Sequence, residues 1–326
     1  MRALLCKEFG PAEKLVLADV AELRPGAGEV LIDNYAAGLN FPDTLAIAGT
    51  YQFRPELPFI PGSEAAGVVL DVGEGVDEFR PGDRVISSGI CGAFAEQQCK
   101  PVSEVIALPD TMPFATGAGF AIAYGTSYYA LKQCAKLQAG ETLLVLGAAG
   151  GVGLAAVDIG LAMGATVIAA ASSEEKLNVA CADGRALRLN YSERSLKDEV
   201  KALTGGKGAD VVYDPVGGDL SEQALRATAW GGRFLVVGFA SGTIPRIPLN
   251  LTLLKNNAIM GVFYGAWAQR EPATYRRNMA ELFALFEAQK LHPLVSQEFK
   301  LEQYREAFSV LTDRRAKGKI IFNLKN

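Results

Sequence analysis

Hydrophobic and polar positions along the chain follow two patterns, which change near residue 120. Before that point, short apolar runs are separated by turn signals such as Arg24-Pro25-Gly26 and Arg80-Pro81-Gly82-Asp83. Short strands bounded by Gly and Pro are typical of an all-β barrel or sandwich. The strands that this pattern predicts are 2–7, 29–36, 65–72, 84–86 and 94–99.

Beyond residue 120, apolar strands alternate with helical segments. The strands predicted there are 142–146, 166–170, 186–189, 211–213, 234–237 and 258–262. Apolar runs bounded by helices indicate a parallel sheet that is covered on both faces. Six such strands match the doubly wound fold that binds dinucleotides.

The tail of the chain returns to a different pattern. One helix face, predicted to pack on a core, carries Tyr275, Met279, Leu282, Phe283 and Phe286. A final strand, 319–323, is predicted to rejoin the sheet of the first domain. The chain is therefore predicted to be an α/β protein in which a Rossmann domain, 123–263, is inserted into a β domain, 1–122, completed by 264–326.

Composition excludes several classes of function. The formal net charge is −4 and the isoelectric point about 5.3, which argues against a general nucleic-acid binder. No run of 18 apolar residues and no signal-like N-terminus is seen, so a cytoplasmic protein without a membrane span is expected. The five cysteines are dispersed and expected to be reduced. Because His292 is the only histidine, a mechanism that needs a pair of histidines is excluded.

The strongest chemical signal is a glycine-rich turn after the strand 142–146. Glycine permits a tight turn, lets backbone N–H groups approach a pyrophosphate and lets the next helix lie close to the strand. The N-terminus of that helix offers unpaired N–H groups and a positive dipole end. The first glycine of the usual Gly-x-Gly-x-x-Gly is replaced by Ala148. The cofactor-binding residues predicted in this turn are Ala149, Gly150, Gly151, Val152 and Gly153.

The end of the second strand indicates which nicotinamide cofactor is used. An NAD site usually has Asp or Glu there, about twenty residues past the glycines, to hold the ribose hydroxyls. This chain has Ala171 or Ser172 at that place. The hydroxyls of Ser172 and Ser173 and the ammonium of Lys176 can instead receive a 2′-phosphate, which favours NADPH. An alternative, compatible with the first, is a capping box from Ser172 to Glu175 with Lys176 in solvent. Glu174 lies close enough to keep NADH open.

Four segments of the first half carry a family resemblance. They are Gly38–Thr44, Pro61–Val69, Val72–Val76 and Phe79–Val85. With the glycine turn, they resemble the medium-chain dehydrogenase/reductase superfamily, and within it the zinc-independent NADPH:quinone oxidoreductases, the group of zeta-crystallin. The resemblance implies a GroES-like β-barrel domain, a Rossmann domain and an active site in the cleft between them. It also implies a homodimer, in which the sixth strands of two Rossmann domains, around 257–262, pair through their apolar edges.

Departures from the zinc-dependent branch indicate the mechanism. Zinc alcohol dehydrogenases carry Cys where this chain has Asn40 and His where it has Ser63, and amide and hydroxyl groups are poor zinc ligands. In the region of the structural zinc only Cys91 and Cys99 are present. No metal is therefore expected. Without a Lewis acid the substrate must accept hydride readily, as quinones and activated alkenes do, while the protein supplies position and hydrogen bonds.

The resemblance also assigns site residues. Asn40 and Thr126 are expected to face the nicotinamide, and Asp43 and Tyr51 to lie near the substrate mouth. Each has a structural alternative: Asn40 capping a turn, Asp43 capping a helix, Tyr51 packing in a loop. Residues 214–218 form either a ligand-binding strand end or a plain turn. The remaining cofactor positions are Tyr191, Gly238, Phe239, Ala240, Ser241, Phe263, Tyr264, Gly265 and Lys319.

Three functions remain open on the sequence. The leading hypothesis is an NADPH-dependent reductase of quinones. The same branch also reduces activated carbon–carbon double bonds in enones and enoyl or acryloyl thioesters, and fold does not choose between the two. A third reading, from another class, is an NADPH-binding protein without turnover.

Overall fold

The computed structural model describes residues 1–325 and divides the chain into two compact units. The first unit comprises Met1–Ile122 and the segment that begins at Pro293. The second unit is the continuous stretch Ala123–His292. The residues between 264 and 292, which the sequence assigns to the first domain, therefore belong to the second, and that predicted boundary is wrong.

The strands in chain order are β1 (Arg2–Leu5), β2 (Val16–Asp19), β3 (Glu29–Leu39), β4 (Glu64–Val72), β5 (Arg84–Ser88), β6 (Gln97–Pro101), β7 (Val105–Ala107), β8 (Thr142–Val145), β9 (Thr166–Ala171), β10 (Leu187–Asn190), β11 (Ala209–Asp214), β12 (Thr228–Val236), β13 (Ala258–Gly261), β14 (Val295–Lys300) and β15 (Lys319–Asn323). The α-helices are α1 (Phe41–Ala48), α2 (Phe114–Gly117), α3 (Ala121–Tyr128), α4 (Gly151–Ala162), α5 (Glu174–Ala180), α6 (Leu196–Leu203), α7 (Asp219–Arg226), α8 (Asn250–Lys255), α9 (Tyr264–Arg270), α10 (Pro272–Glu287) and α11 (Tyr304–Thr312). Short 3-10 segments (Ala12–Lys14, Val102–Glu104, Leu301–Gln303) and a π-helical segment (Tyr129–Cys134) complete the structure.

The first unit is built on a sheet in the order β14-β15-β3-β4-β5-β7, in which β6 also pairs with β3. The last strand, β15, lies antiparallel to β3, with Ile320 opposite Leu39. The final segment of the chain thus rejoins the first sheet. Phe94 packs edge-on against Phe322 in the core, with ring centroids 4.9 Å apart. Phe94 lies outside any strand, so the strand predicted at 94–99 is wrong and begins instead at Gln97.

The second unit contains a fully parallel sheet in the order β10-β9-β8-β11-β12-β13. Counted within the unit, this is the 3-2-1-4-5-6 order of the Rossmann fold. The order reverses between β8 and β11, and ligands of such sheets bind beyond the carboxyl ends of the strands at that point. The prediction of a doubly wound domain is confirmed.

Helix α10 belongs to the second unit because of its polar contacts as well as its apolar face. Glu281 accepts hydrogen bonds from the hydroxyl of Tyr128, at 2.7 Å, and from Lys132. Asn278 exchanges hydrogen bonds with Gln133. The predicted apolar stripe is buried at Tyr275, Met279 and Leu282. The stripe was predicted from its spacing, but the sequence does not say which domain it packs on.

Two further expectations concern the membrane and the thiols. Within residues 1–325, no helix combines the length and the apolar character that crossing a membrane requires. All five cysteines carry free thiols.

Candidate active site

A buried polar cluster lies in the first unit where β3 ends and α1 begins. Asn40 is the N-cap residue of α1. The carboxylate of Asp43 accepts a hydrogen bond from the backbone N–H of Asn40 at 2.8 Å, and the N–H of Asp43 donates to the carbonyl of Asn40 at 3.0 Å. Asn40 and Asp43 therefore have the capping roles given above as structural alternatives, because together they fix the start of α1.

The side chain of Asn40 is held from both of its polar atoms. Nδ2 donates to Glu64 Oε1 at 2.9 Å and to Ser63 Oγ at 3.3 Å. Oδ1 accepts from Lys319 Nζ at 2.7 Å. Asn40 and Ser63, which stand where the zinc branch carries metal ligands, are thus adjacent. The cation beside them is the Lys319 ammonium.

The Lys319 ammonium faces three oxygens, which matches its three hydrogens. Besides Asn40, it donates to Glu64 Oε1 at 2.7 Å and to the carbonyl of Leu39 at 3.3 Å. Both charged side chains are buried, and Glu64 is fully inaccessible to solvent. A buried charge is tolerated when it is paired and hydrogen-bonded, as both are here. A direct contact between Lys319 and a cofactor stays a prediction.

Asp43 carries the most perturbed carboxyl of this cluster. Burial raises its pKa to about 7, against the opposing effect of hydrogen bonds from Asn40 and from the hydroxyl of Ser63. Burial and the nearby charge of Asp43 raise the pKa of Tyr51. The ring of Tyr51 also packs edge-on against Phe53, at 6.3 Å between centroids. Asp43 and Tyr51 thus interact electrostatically, as two residues at one site would.

The titration of Asp43 predicts a pH dependence of stability. Its folded pKa lies above the unfolded value of 3.8, so the folded chain holds a proton that the unfolded chain releases. The free energy of unfolding is therefore expected to fall as the pH rises from about 4 to about 7. Asp43→Asn, which keeps an acceptor oxygen but cannot ionise, is expected to flatten this fall.

Urea unfolding across that pH range measures the effect. The exposed residue Asp77 provides the matched control, because Asp77→Asn removes a carboxylate that solvent already stabilises. Equal pH dependence in the wild type and in Asp43→Asn would contradict a neutral, buried carboxyl at this position.

The glycine-rich turn of the second unit joins β8 to α4. Gly147 has a φ of +56°, a conformation that favours glycine. A Cβ on Gly153 would lie 2.2 Å from the carbonyl oxygen of Gly147, so only glycine permits this close approach. The first N–H groups of α4 have no acceptor within the helix and can bind an anion. The five residues predicted in this turn lie at the carboxyl end of β8.

Thr126 lies on α3, which is fastened to the glycine turn by its neighbour Ser127. The hydroxyl of Ser127 donates to the carbonyl of Val152 at 2.9 Å and shares a hydrogen bond of 2.8 Å with the hydroxyl of Tyr213. Tyr264 packs against the same helix, since a Cβ on Gly125 would lie 2.1 Å from its hydroxyl oxygen. Thr126 is thus the neighbour of a residue bonded to the turn, and Tyr264 lies against the same helix.

The residues predicted to contact the ribose and its 2′-phosphate lie at the end of β9. Lys176 Nζ lies 3.3 Å from Ser172 Oγ, and the N–H of Tyr191 donates to Ala171 at 3.2 Å. Ser173, not Ser172, caps α5, because its hydroxyl accepts from the N–H of Lys176 at 3.3 Å. The predicted capping box from Ser172 to Glu175 is therefore wrong, because the helix is capped one residue later by Ser173 alone. The hydroxyl of Ser172 is left to face the ammonium of Lys176.

Glu174, which left NADH open on the sequence, is engaged elsewhere. Its carboxylate forms an ion pair with Arg188 at 2.8 Å and accepts from Asn190 at 3.3 Å. Both partners lie on β10. A carboxylate paired in this way is less suited to hold ribose hydroxyls, which supports the NADPH reading.

The strand ends of β11 and β12 form interlocking turns. Asp214 Oδ1 accepts from the N–H groups of Val216 and Gly217 at 2.8 and 2.9 Å, and Oδ2 accepts from Ser221 at 2.5 Å. The carboxylate is thus fully used within the turn. The loop 238–241 rests on this turn, since the N–H of Ser241 donates to the carbonyl of Val216 at 2.8 Å.

The last predicted cofactor positions follow β13. Phe263 is the N-cap residue of α9, and its side chain is 45% exposed. Gly265 lies within the first turn of that helix. Both are at the carboxyl end of the sheet, where a doubly wound fold binds ligand.

Sequence reasoning missed Glu64 and Ser127. Glu64 is the first residue of the apolar strand β4. A carboxylate in such an apolar run could have indicated a buried, paired charge. For Ser127 there was no usable signal, because a hydroxyl in a small-residue helix is common. Within residues 1–325, no group of three His, Cys, Asp or Glu side chains is placed to hold a metal ion.

Comparison with known proteins is consistent with both units. The family model for the alcohol dehydrogenase GroES-like domain matches residues 26–172, and the one for zinc-binding dehydrogenases matches residues 151–284. A quinone oxidoreductase-like protein 2 homolog of Nematostella vectensis is 39% identical over 99% of this chain and 89% of its own length. Human quinone oxidoreductase is 36% identical, over 99% and 98%. The crystal structure of Escherichia coli quinone oxidoreductase complexed with NADPH superposes with a TM-score of 0.93 at 29% identity, over 99% of this chain and 100% of that one. With the Rossmann strand order and the glycine turn described above, these matches show that the chain belongs to the quinone oxidoreductase branch of the medium-chain dehydrogenase/reductase superfamily.

Proposed function

We propose that this chain is a cytoplasmic, NADPH-dependent reductase that transfers hydride to quinones without a metal ion. The observation that carries the proposal is the Lys319 ammonium, which lies 2.7 Å from Asn40 Oδ1 at the position where the zinc branch places its metal ligands. The ammonium occupies acceptor positions on Asn40 and Glu64, and the amide of Asn40 and the hydroxyl of Ser63 are poor zinc ligands. A quinone suits such a site, because the charge that develops on hydride transfer is delocalised onto its oxygens.

The residues of the second unit fit NADPH. The close approach of Gly153 to the backbone of Gly147 brings the start of α4 against the glycine turn, where its unpaired N–H groups would hold the pyrophosphate. Lys176 and Ser172 provide a cation and a hydroxyl for a 2′-phosphate. Glu174, the carboxylate that could compete, is paired with Arg188 at 2.8 Å. The E. coli relative crystallised with NADPH supports the same choice.

Each group of residues has a separate role in this proposal. NADPH supplies the hydride from its nicotinamide ring. Asn40 and Thr126 orient the reacting rings, which lowers the entropic part of the barrier. Asp43, whose pKa is raised to about 7 by burial, is partly protonated at neutral pH and can hold a proton near the substrate. Tyr51 contributes a hydroxyl beside it.

A substrate panel tests this function. Loss of absorbance from the reduced cofactor is followed with quinones, enones and enoyl thioesters, each with NADPH and with NADH. We expect the highest kcat/KM with a quinone and NADPH. A higher kcat/KM with an enone or an enoyl thioester would establish the alkene reductase instead. Tight NADPH binding with no turnover of any substrate would establish the binding protein.

The absence of zinc is a separate prediction. Asn40 and Ser63 offer an amide and a hydroxyl, and the neighbouring cation is Lys319. The match to the zinc-binding dehydrogenase model covers residues 151–284 and includes neither Asn40 nor Ser63. We expect less than stoichiometric zinc by elemental analysis and unchanged activity after treatment with a chelator. One zinc per chain would contradict this.

A homodimer is predicted through the edge strand β13. This strand ends the parallel sheet, and its Ile259 is 38% exposed. An apolar sheet edge invites pairing with a second copy. We expect light scattering at micromolar concentration to give the mass of a dimer, and Ile259→Asp to shift it toward the monomer. The control is Leu187→Asp on β10, the opposite edge of the same sheet. A monomeric wild type, or dissociation only by the control, would contradict this interface.

A further inference from the structure

A buried ion pair between Glu64 and Lys319 adjoins Asn40. Glu64 Oε1 and Lys319 Nζ lie 2.7 Å apart, and each also bonds one end of the Asn40 amide. Nδ2 of Asn40 donates to the carboxylate at 2.9 Å, and Oδ1 accepts from the ammonium at 2.7 Å. The three side chains form a closed triangle of hydrogen bonds. Each of these contacts involves a charged group and is stronger than a neutral hydrogen bond.

This triangle permits only one orientation of the amide. A rotation by half a turn would place the NH2 group against the Lys319 ammonium and the oxygen against the Glu64 carboxylate. Both contacts would then be repulsive inside a region from which water is excluded. The ion pair therefore selects the orientation of Asn40 and not only its position.

Glu64 also reaches the helix that carries Thr126. Its Oε2 accepts from the N–H of Ile122 in the first turn of α3, at 3.0 Å. A carboxylate at the N-terminus of a helix satisfies an orphan N–H and complements the helix dipole. One side chain thus contacts Asn40 directly and fixes the start of the helix on which Thr126 lies.

We propose that Glu64 and Lys319 are positioning residues, which hold the amide of Asn40 in a single orientation for the ligand. The proposal rests on the proposed function, in which Asn40 contacts the reacting rings. The Asn40 NH2 group donates to the Glu64 carboxylate. It also donates to Ser63 Oγ at 3.3 Å and to the carbonyl of Gly38 at 3.4 Å. One lone pair of Oδ1 remains. Asn40 therefore meets its ligand as an acceptor, opposite an N–H or O–H donor such as a carboxamide or a hydroquinone hydroxyl.

A double-mutant cycle tests the proposal. Glu64→Gln removes the charge that selects the amide orientation and is expected to lower kcat about tenfold to a hundredfold, with a small change in NADPH affinity. In an Asn40→Ala background the same substitution is expected to have little further effect, because residues that act through one group are not additive. Full additivity of the two substitutions would overturn the proposal.

The control and the second variant address folding. The control is Glu104→Gln, which breaks another ion pair of the first unit, with Lys100 at 3.3 Å, and is expected to leave kcat unchanged. The double variant Glu64→Gln/Lys319→Met leaves no unpaired charge and replaces Glu64→Gln if that variant does not fold. It is expected to show the same loss of kcat and the same lack of additivity with Asn40→Ala.

A measurement without cofactor separates this inference from the proposed function. The side-chain NH2 resonances of Asn40, identified by their loss in Asn40→Ala, are expected to be protected from hydrogen exchange in the wild type. They are expected to lose that protection in Glu64→Gln and in the double variant. Rapid exchange in the wild type would overturn the inference whatever the activity. Protection without turnover of any quinone would instead reject the proposed function alone.

Discussion

Gly153→Ala is expected to destabilise the second unit and to remove NADPH binding. The added Cβ would lie 2.2 Å from the carbonyl oxygen of Gly147 and 2.9 Å from its carbon, and these backbone atoms cannot rotate away. The start of α4 must then move off the turn, which displaces the N–H groups proposed to bind the pyrophosphate. Overpacking of this kind costs about 1–3 kcal/mol of stability, or more where the backbone is involved.

Gly150→Ala is the matched control for the loss of stability in this prediction. It adds the same methyl group to the same turn, yet that Cβ would lie 3.4 Å from the same oxygen, an ordinary contact. Urea unfolding and fluorescence titration with NADPH measure both consequences. Equal stability of the two variants would show that the turn adapts to a side chain at position 153 and that the close approach is not required.

Lys176→Ala is expected to lower kcat/KM for NADPH and to leave NADH almost unchanged. The Lys176 ammonium lies 3.3 Å from Ser172 Oγ, and together they are placed for the 2′-phosphate that only NADPH carries. Loss of a hydrogen bond to a charged group costs roughly 1–3 kcal/mol, or about fivefold to more than a hundredfold in kcat/KM. Ser172→Asp should act in the opposite sense and favour NADH, by placing a carboxylate near the ribose hydroxyls.

The ratio of kcat/KM for the two cofactors is the measurement. Lys201→Ala, on the neighbouring helix α6, controls for the loss of one positive charge from the second unit. A wild type that prefers NADH would contradict the assignment, and so would an equal loss for both cofactors in Lys176→Ala. In either case Lys176 would be only a solvated residue of α5.

The parallel sheet could be predicted from the sequence because several of its strands, such as β8 and β9, are nearly continuous apolar runs. The first of them was expected at 142–146 and is β8. Strand β6 was misplaced because it is polar, yet its polar groups are buried. Gln98 donates to Asn34 at 2.8 Å and to Ser87 at 2.7 Å, so a buried amide replaces the apolar residue that the pattern requires.

Features of the site that lie within one short segment could be predicted, whereas contacts between residues far apart in the sequence could not. The glycine turn is contained in seven consecutive residues, and its geometry follows from their composition. Glu64 and Lys319 are 255 positions apart and meet because β15 and β4 flank the same strand, β3. No periodicity links them. The family resemblance placed Lys319 among the cofactor positions, and its contacts with Asn40 and Glu64 could not be foreseen from the sequence.

The return of β15 to the first sheet has a consequence for synthesis of the protein. Translation proceeds from the N-terminal to the C-terminal side, so the ribosome releases all of the second unit before it releases Lys319. During that interval the carboxylate of Glu64 has no ammonium partner, and the edge of β3 that β15 will occupy is open. A nascent chain can therefore complete the nucleotide-binding sheet early, whereas the cluster around Asn40 forms only when the last strand arrives.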